Sequence, residues 1–185
     1  MMPEISLNLL DVAENSTRAG AKRVRIEVTV DTAADRLTIL IQDDGCGMTP
    51  EQVAHVTDPF FTTRTTRKVG LGVPFLKYAA ESTGGAFSIT SEVGVGTTVT
   101  ATFGLSHIDR MPLGDLTGTI HTLVVYHPEV DFVYKYQYNE SSFTLDTEAF
   151  RQILGDVPLD SPDVSQYIKE YLTENKQETD HGAMI

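Results

Sequence analysis

The sequence is short of cysteine and of basic residues, and both shortages exclude classes of protein. Cys46 is the single cysteine among 185 residues, so no internal disulfide can form and a reducing cytoplasm is the expected location. Lys and Arg number 14 against 26 Asp and Glu, which gives a net charge of −12. A general nucleic-acid or anionic-membrane binder needs a basic face, so neither class is expected.

Long apolar runs are also missing. No apolar stretch reaches the length of about 20 residues that a membrane-spanning helix requires. Pro3, Glu4 and Asn8 interrupt the start of the chain, so no signal peptide is expected there. The hydrophobic fraction of 41% and the charged fraction of 22% are those of a soluble globular protein.

The charge is spread unevenly, and this indicates a division of the chain. Residues 1–105 carry 9 Lys and Arg and 12 Asp and Glu, a balance of −3, whereas residues 106–185 carry 5 and 14, a balance of −9. We therefore expect one domain over residues 1–105 and a small α+β module over residues 106–175. Residues 176–185 are polar and are expected to form a flexible tail.

Periodicity predicts the elements of the first part of the chain. Apolar residues at helical spacing, from Ile5 through Leu9 to Val12, predict a helix that ends near Gly20. The same reasoning predicts a short helix over residues 50–56, a longer one over residues 71–82, and strands over residues 24–30, 37–41, 86–91 and 97–103.

The second part of the chain is less regular. Asp115 can cap a helix, strands are expected over residues 132–138 and 141–145, and further helices begin near Thr147 and Ser161. The aromatic face of the first of these strands predicts core packing beneath a helix, with a partner or homodimer surface as the alternative. That face consists of Phe132, Tyr134, Tyr136 and Tyr138.

Asp11 and Asn15 are four residues apart and share one face of the first predicted helix. A carboxylate and an amide oxygen side by side suit a hydrated Mg²⁺ and a water molecule that is to be activated. A polar patch on an amphipathic helix is the alternative. The pair predicts a magnesium site at Asn15, with Asp11 as the candidate general base.

Three motifs contain closely spaced glycines. Asp43-Asp44-Gly45-Cys46-Gly47 comes directly after an apolar strand, and its glycines let a ligand approach the backbone closely. Gly70-Leu71-Gly72 opens a helix, where free backbone N–H groups bind anions. Gly94-Val95-Gly96-Thr97 is a turn followed by a hydroxyl group. Taken singly, each motif has an ordinary structural alternative, because such glycines are common in surface turns and hairpins.

In their order and spacing, these motifs resemble those of the GHKL family of ATP-binding domains, which includes DNA gyrase, heat-shock chaperones, histidine kinases and mismatch-repair ATPases. Residues 14–21 look like the N-box, closest to its mismatch-repair form. Residues 58–64, Asp-Pro-Phe-Phe-Thr-Thr-Arg, look like the phenylalanine box of histidine kinases. The three glycine motifs look like the three glycine boxes. All five boxes lie in order within residues 1–105, and the resemblance does not cover residues 106–185.

The resemblance implies that ATP and Mg²⁺ are the ligands. It implies that Asp43 accepts a hydrogen bond from the adenine amino group, that Asn15 binds Mg²⁺, and that residues 62–69 form a short lid. Basic residues in that lid would offset phosphate charge, with a solvated basic loop as the alternative. The residues assigned to nucleotide binding are Asn15, Asp43, Gly45, Gly47, Met48, Phe60, Arg64, Arg67, Lys68, Gly70, Leu71, Gly72 and Thr97.

Two departures from the family pattern bear on activity. Gyrase-like members carry a glutamate four residues before the magnesium-binding asparagine as the general base. Asp11 stands at that place and is shorter by one methylene group, so hydrolysis stays open while binding is expected. Histidine kinases carry an upstream helix pair with the phosphoacceptor histidine, which we do not expect in this chain.

We therefore expect residues 1–105 to form a two-layer α/β sandwich, the Bergerat ATP-binding fold, with helices on one face of a mixed, largely antiparallel sheet. The expected function is that of a stand-alone bacterial ATP-binding regulatory protein that signals to a protein partner. The first alternative is a protein kinase, either of the anti-sigma-factor serine type or a histidine kinase acting in trans. The second is an ATP-hydrolysing clamp. Homodimerisation stays open.

Overall fold

The predicted elements are present, with ends shifted by a few residues, in a computed structural model that describes residues 4–61 and 71–185. The strands are β1 (Arg23–Asp31), β2 (Arg36–Asp43), β3 (Ala86–Glu92), β4 (Gly96–Gly104), β5 (Asp131–Tyr138) and β6 (Ser141–Asp146). The helices are α1 (Ile5–Arg18), α2 (Pro50–Val56), α3 (Gly72–Glu81), α4 (Leu116–Tyr126), α5 (Thr147–Leu154) and α6 (Pro162–Asp180), and a 3₁₀ turn covers Pro59–Phe61.

The strands form one six-stranded sheet in the order β3-β4-β2-β1-β5-β6. Every neighbouring pair is antiparallel except β1 and β5, which run in parallel from Arg23 opposite Asp131 to Val30 opposite Tyr138. A parallel pair needs a long crossover connection. Here the chain between β1 and β5 includes β2, β3, β4 and α4.

Burial alternates along the strands, because successive side chains of a strand point to opposite faces. In β1, Val24, Ile26 and Val28 are fully buried beneath the helices, whereas Arg25 is exposed on the other face. The helices α1, α3, α4 and α6 contact one another or the sheet on the buried side. The prediction of a two-layer α/β sandwich with a mixed, largely antiparallel sheet is therefore confirmed.

The change in charge near residue 106 does not mark a break in the sheet. The strands β5 and β6 come from residues 106–185 and extend the sheet beyond β1. The first backbone N–H groups of α1 also depend on this part of the chain, because Ile5 donates to the carbonyl of Pro112 (3.0 Å) and Ser6 to that of Leu113 (2.9 Å). The α+β segment is thus built onto the first sheet, and the charge difference is one of surface composition.

The expectation of a flexible tail over residues 176–185 is wrong. The last helix continues to Asp180, whose side chain is buried. Its carboxylate accepts hydrogen bonds from the hydroxyl of Tyr136 (2.8 Å) and from the ammonium group of Lys176 (2.7 Å). The polarity of this segment did not indicate that one of its carboxylates is buried and hydrogen-bonded. Such hydrogen bonds allow a charged group to be buried.

The aromatic stripe of β5 belongs to the core, as one of its two interpretations predicted. Phe132, Tyr134 and Tyr136 are at most 2% exposed, and α6 covers the strand. Only Tyr138, at the end of the strand, is half-buried. No helix within residues 4–61 and 71–185 combines the length and the apolarity needed to cross a membrane.

Asn8 is a defect in the packing of α1. Its side chain is 1% exposed, and its amide nitrogen and oxygen have no hydrogen-bond partner in the described part of the chain. A buried unpaired amide costs roughly 1–3 kcal/mol, so we expect Asn8→Leu, a side chain of similar size, to raise the free energy of unfolding by about 1 kcal/mol. Urea denaturation measures the change.

The matched control for Asn8 is Asn175 in α6, whose amide donates to the carbonyl of Tyr171 (2.8 Å). Because Asn175→Leu removes an existing hydrogen bond, this substitution should not stabilise the fold. A lower urea midpoint for Asn8→Leu than for the unmodified chain would show that this amide contributes to stability.

Candidate functional site

A cavity of about 120 Å³ opens between α1, the loop after β2 and the strands β3 and β4. Its walls are mainly apolar, and α2 and α3 contribute Val56 and Val73. Five residues predicted from the sequence line it: Asn15, Asp43, Gly47, Met48 and Thr97. A larger open depression of about 530 Å³ lies on the uncovered face of the sheet and shares Asp43 and Thr97, but it is otherwise lined mostly by polar side chains. The smaller cavity is less open and mainly apolar, so it is the better candidate for the apolar part of a ligand.

Asp43 is the last residue of β2 and is held from both sides. Its Oδ2 accepts a hydrogen bond from the hydroxyl of Ser16 (2.6 Å), and its Oδ1 accepts one from the backbone N–H of Gly45 (2.9 Å). Thr97 lies directly opposite on β4. A carboxylate only accepts hydrogen bonds, so the two donors fix its orientation while lone pairs on both oxygens remain for a ligand.

The loop after β2 packs closely on its surroundings. Gly47 has a φ of +71°, and a Cβ there would lie 2.0 Å from the backbone oxygen of Glu92. The loop is also tied to α1 and to the β3–β4 hairpin, because Cys46 donates to the carbonyl of Ala19 (3.0 Å) and accepts from the N–H of Gly94 (2.8 Å). Glycine is required at position 47 by conformation and by space.

Asp44, next to Asp43, has a structural role that the sequence did not indicate. Its Oδ1 accepts hydrogen bonds from the backbone N–H groups of Lys22 (2.8 Å) and Arg23 (3.0 Å) at the start of β1. The two neighbouring carboxylates therefore differ in function: Asp44 anchors a strand, and Asp43 faces the cavity.

Asp11 and Asn15 lie on one face of α1, as their spacing predicted. The Asp11 carboxylate lies against the start of α3, where a Cβ built on Gly72 would be 2.6 Å from Oδ2. Burial raises the pKa of the Asp11 carboxyl above its ordinary value, the charge of Arg18 opposes this rise, and the charge of Glu14 adds to it. The Oδ1 atom of Asn15 accepts a hydrogen bond from Arg18 (2.7 Å).

Four described residues of the predicted nucleotide site do not line the cavity: Gly45, Phe60, Leu71 and Gly72. The side chain of Phe60 is 93% exposed, and Leu71, which precedes α3, is 40% exposed; neither lines the cavity. Arg64, Arg67, Lys68, Gly70 and the predicted lid over residues 62–69 lie outside the described residues. Within the described ranges, no cluster of three or more His, Cys, Asp or Glu side chains is arranged to hold a metal ion.

Sequence reasoning missed several residues of the site. Ser16 and Ser91 hold Asp43 and Thr97 in place, but a serine gives no local signal of a contact made across the fold. Ser16 does directly follow Asn15 in the predicted N-box, which was the available hint. The missed apolar wall of the cavity comprises Val12, Val56, Val73, Ile89 and Val99.

Comparisons with known proteins identify a family for the first part of the chain. Residues 3–107 match the family described as histidine kinase-, DNA gyrase B-, and HSP90-like ATPase. The chain is 34% identical over 113 residues, 58% of its length, to the non-motile and phage-resistance protein of Caulobacter vibrioides. It is 33% identical over 102 residues, 52% of its length, to sensor protein SrrB of Staphylococcus aureus. It spans 13% and 17% of the length of these two relatives.

The likeness to a solved structure extends further along the chain. The Aquifex aeolicus MutL ATPase domain complexed with ADP matches with a TM-score of 0.53 at 14% identity. The match covers 97% of this chain and 71% of that one. At this identity the likeness concerns the fold alone, but it includes most of residues 106–185, to which the resemblance in sequence did not extend.

Proposed function

This chain belongs to the family of histidine kinase-, DNA gyrase B- and HSP90-like ATPases, and we propose that it is a regulatory protein that binds Mg-ATP in the cavity beside Asp43. The observation that carries the proposal is the environment of the Asp43 carboxylate. Two protein donors orient it at a largely apolar cavity, and lone pairs remain on both of its oxygens for a ligand.

The chemistry of this environment favours adenine. An acceptor-only carboxylate pairs with the 6-amino group of adenine, whereas guanine presents a carbonyl oxygen at the same place. Apolar side chains such as Val73, Ile89 and Val99 suit the faces of a flat base. The base would lie between Gly47 and α1, which both line the cavity.

The phosphates would extend from the base toward Asn15 and the start of α3. Free N–H groups at a helix N-terminus bind anions, and the lack of a side chain at Gly72 leaves room there for the Asp11 carboxylate. The amide oxygen of Asn15 is a donor of the kind that Mg²⁺ prefers, and it could hold the ion in place of the Arg18 guanidinium that now donates to it. When bound, Mg²⁺ supplies positive charge to the phosphates. Residues 62–69 are proposed as the lid.

Weak ATP hydrolysis is a second candidate, favoured by the position of Asp11. Its carboxylate lies against Gly72, where the terminal phosphate would be bound, and partial burial makes it a stronger base. In this step Asp11 accepts a proton from water, the water oxygen bonds to the γ-phosphorus, and the bond to the leaving ADP oxygen breaks. Only the deprotonated carboxylate can act, so the rate should rise with pH through the raised pKa.

The regulatory role remains a proposal because the chain spans a small part of its curated relatives. One of these is named a sensor protein, which supports nucleotide-dependent signalling to a protein partner. There are two alternatives to this regulatory role. One is a kinase that transfers the γ-phosphate to a partner, and the other is an ATP-hydrolysing clamp. Transfer of label to a partner would support the kinase, and nucleotide-dependent dimerisation with phosphate release would support the clamp.

The test uses γ-labelled ATP and Mg²⁺ with the pure protein. If the chain hydrolyses ATP, we expect Asp11→Asn to reduce phosphate release by about 100-fold or more, since general bases contribute roughly 10²–10⁴ in rate. ATP affinity, measured by calorimetry, should change little. Bound but intact ATP with unmodified protein would instead indicate a nucleotide sensor, or a kinase without its substrate.

The control for Asp11→Asn is Asp160→Asn, which alters an exposed carboxylate beyond α5. It should leave both hydrolysis and binding unchanged. Fold stability is not a confounding factor for Asp11. A carboxyl whose pKa is raised by folding contributes stability below its unfolded pKa and loses that contribution as pH rises, so removing its charge near pH 7 should not unfold the chain.

A further inference from the structure

Ser91, near the end of β3, is a junction between two parts of the proposed nucleotide site. Its hydroxyl oxygen accepts a hydrogen bond from the backbone N–H of Met48 (2.8 Å) and donates one to the backbone oxygen of Gly96 (3.0 Å). The same oxygen lies 2.8 Å from Oγ1 of Thr97. One side chain thus joins the loop after β2 to the first residues of β4.

Only one arrangement of protons makes all three contacts of Ser91 hydrogen bonds. A serine hydroxyl has one proton, and the carbonyl of Gly96 can only accept it. The N–H of Met48 can only donate. In that arrangement Thr97 donates its own hydroxyl proton to Ser91, and only the lone pairs of Thr97 Oγ1 remain for a ligand in the cavity.

We propose that Ser91 is a specificity-determining positioning residue that makes Thr97 an acceptor in the cavity. Thr97 and Asp43 face each other across β4 and β2, and both line the cavity. Because Thr97 donates its proton to Ser91, both Thr97 and Asp43 can only accept hydrogen bonds from a ligand. The pair therefore selects a purine with an amino group at position 6 and rejects one with a carbonyl there. This inference rests on the proposed binding of ATP.

The test compares ATP with inosine triphosphate, which carries a carbonyl in place of the 6-amino group. Calorimetry gives both dissociation constants, and their ratio is the readout, because a loss of general structure weakens both nucleotides alike. We expect the unmodified chain to prefer ATP. In Ser91→Ala the hydroxyl of Thr97 is free to turn and donate to the carbonyl, so the preference should fall by about tenfold, the value of one hydrogen bond of about 1.4 kcal/mol.

Two variants serve as controls. Ser91→Thr retains a hydroxyl and should restore the preference for ATP. Ser88→Ala, on the exposed face of the same strand, should leave both affinities unchanged. If Ser91→Ala does not fold, Thr97→Val removes the same acceptor from the cavity and should lower the preference by a similar factor.

The outcomes separate this inference from the proposed function. A ratio that neither Ser91→Ala nor Thr97→Val changes would overturn the inference alone, while ATP binding by the unmodified chain would stand. A chain that binds neither nucleotide would overturn the proposed function and this inference with it. A lower ratio in Ser91→Ala that Ser91→Thr restores is the result that supports the role of Ser91.

Discussion

Asp43→Asn is expected to weaken ATP binding by about 100-fold without unfolding the chain, since a hydrogen bond to a charged group contributes roughly 1.5–3 kcal/mol. The asparagine amide has one oxygen, whereas both oxygens of Asp43 accept from the protein, Ser16 on one side and Gly45 on the other. Its NH₂ group would therefore face a donor, either within the protein or on adenine. Calorimetry with ATP at fixed Mg²⁺ measures the loss.

The neighbouring carboxylate supplies the matched control for Asp43. Asp44→Asn alters a side chain that anchors the start of β1, so it should leave ATP affinity within about twofold while lowering stability by roughly 1 kcal/mol. Unchanged ATP affinity in Asp43→Asn would refute the proposed site.

Gly47→Ala is expected to destabilise the fold by about 3 kcal/mol and to abolish nucleotide binding. Two effects combine: strain from the positive φ of +71°, and a Cβ only 2.0 Å from the backbone oxygen of Glu92. The first contributes about 1 kcal/mol and the second about 1–3 kcal/mol, as for overpacking in a core. Relief of the clash would move the loop away from the β3–β4 hairpin. Urea denaturation and calorimetry measure the two losses.

Gly94 separates these two effects, because its φ of +80° is similar but a Cβ there would have no atom within 4 Å. Gly94→Ala should therefore show strain alone, a loss of about 1 kcal/mol. Equal losses in the two variants would mean that close approach at Gly47 contributes nothing.

Local signals explain what could be predicted from the sequence. Periodicity predicted the strand β1, and the position of Asp43 directly after an apolar run predicted a carboxylate at the strand end. Helical spacing predicted that Asp11 and Asn15 share a face. These features depend on residues a few positions apart, and the binding roles assigned to them stay predictions.

The remaining features depend on contacts between distant residues. Parallel pairing of β1 with β5 leaves no local trace, because the strands are separated by most of the chain. The burial of Asp180 depends on Tyr136, which is far away in sequence. The expected contact of Phe60 with the nucleotide came from the resemblance alone, and its side chain is exposed. Ser91 likewise matters only because the fold brings Met48 and Thr97 to it.

The parallel pairing of β1 with β5 also has a consequence for synthesis on the ribosome. The second neighbour of β1 is synthesised only when the ribosome has continued from Arg23 to Asp131. This takes on the order of ten seconds at typical translation rates. During that interval one edge of β1 is unpaired and open to wrong strand partners. Arg23, Arg25 and Glu27 place charges along this strand, and charged side chains discourage edge-to-edge association. We therefore expect these charges to discourage association of the nascent chain until β5 emerges.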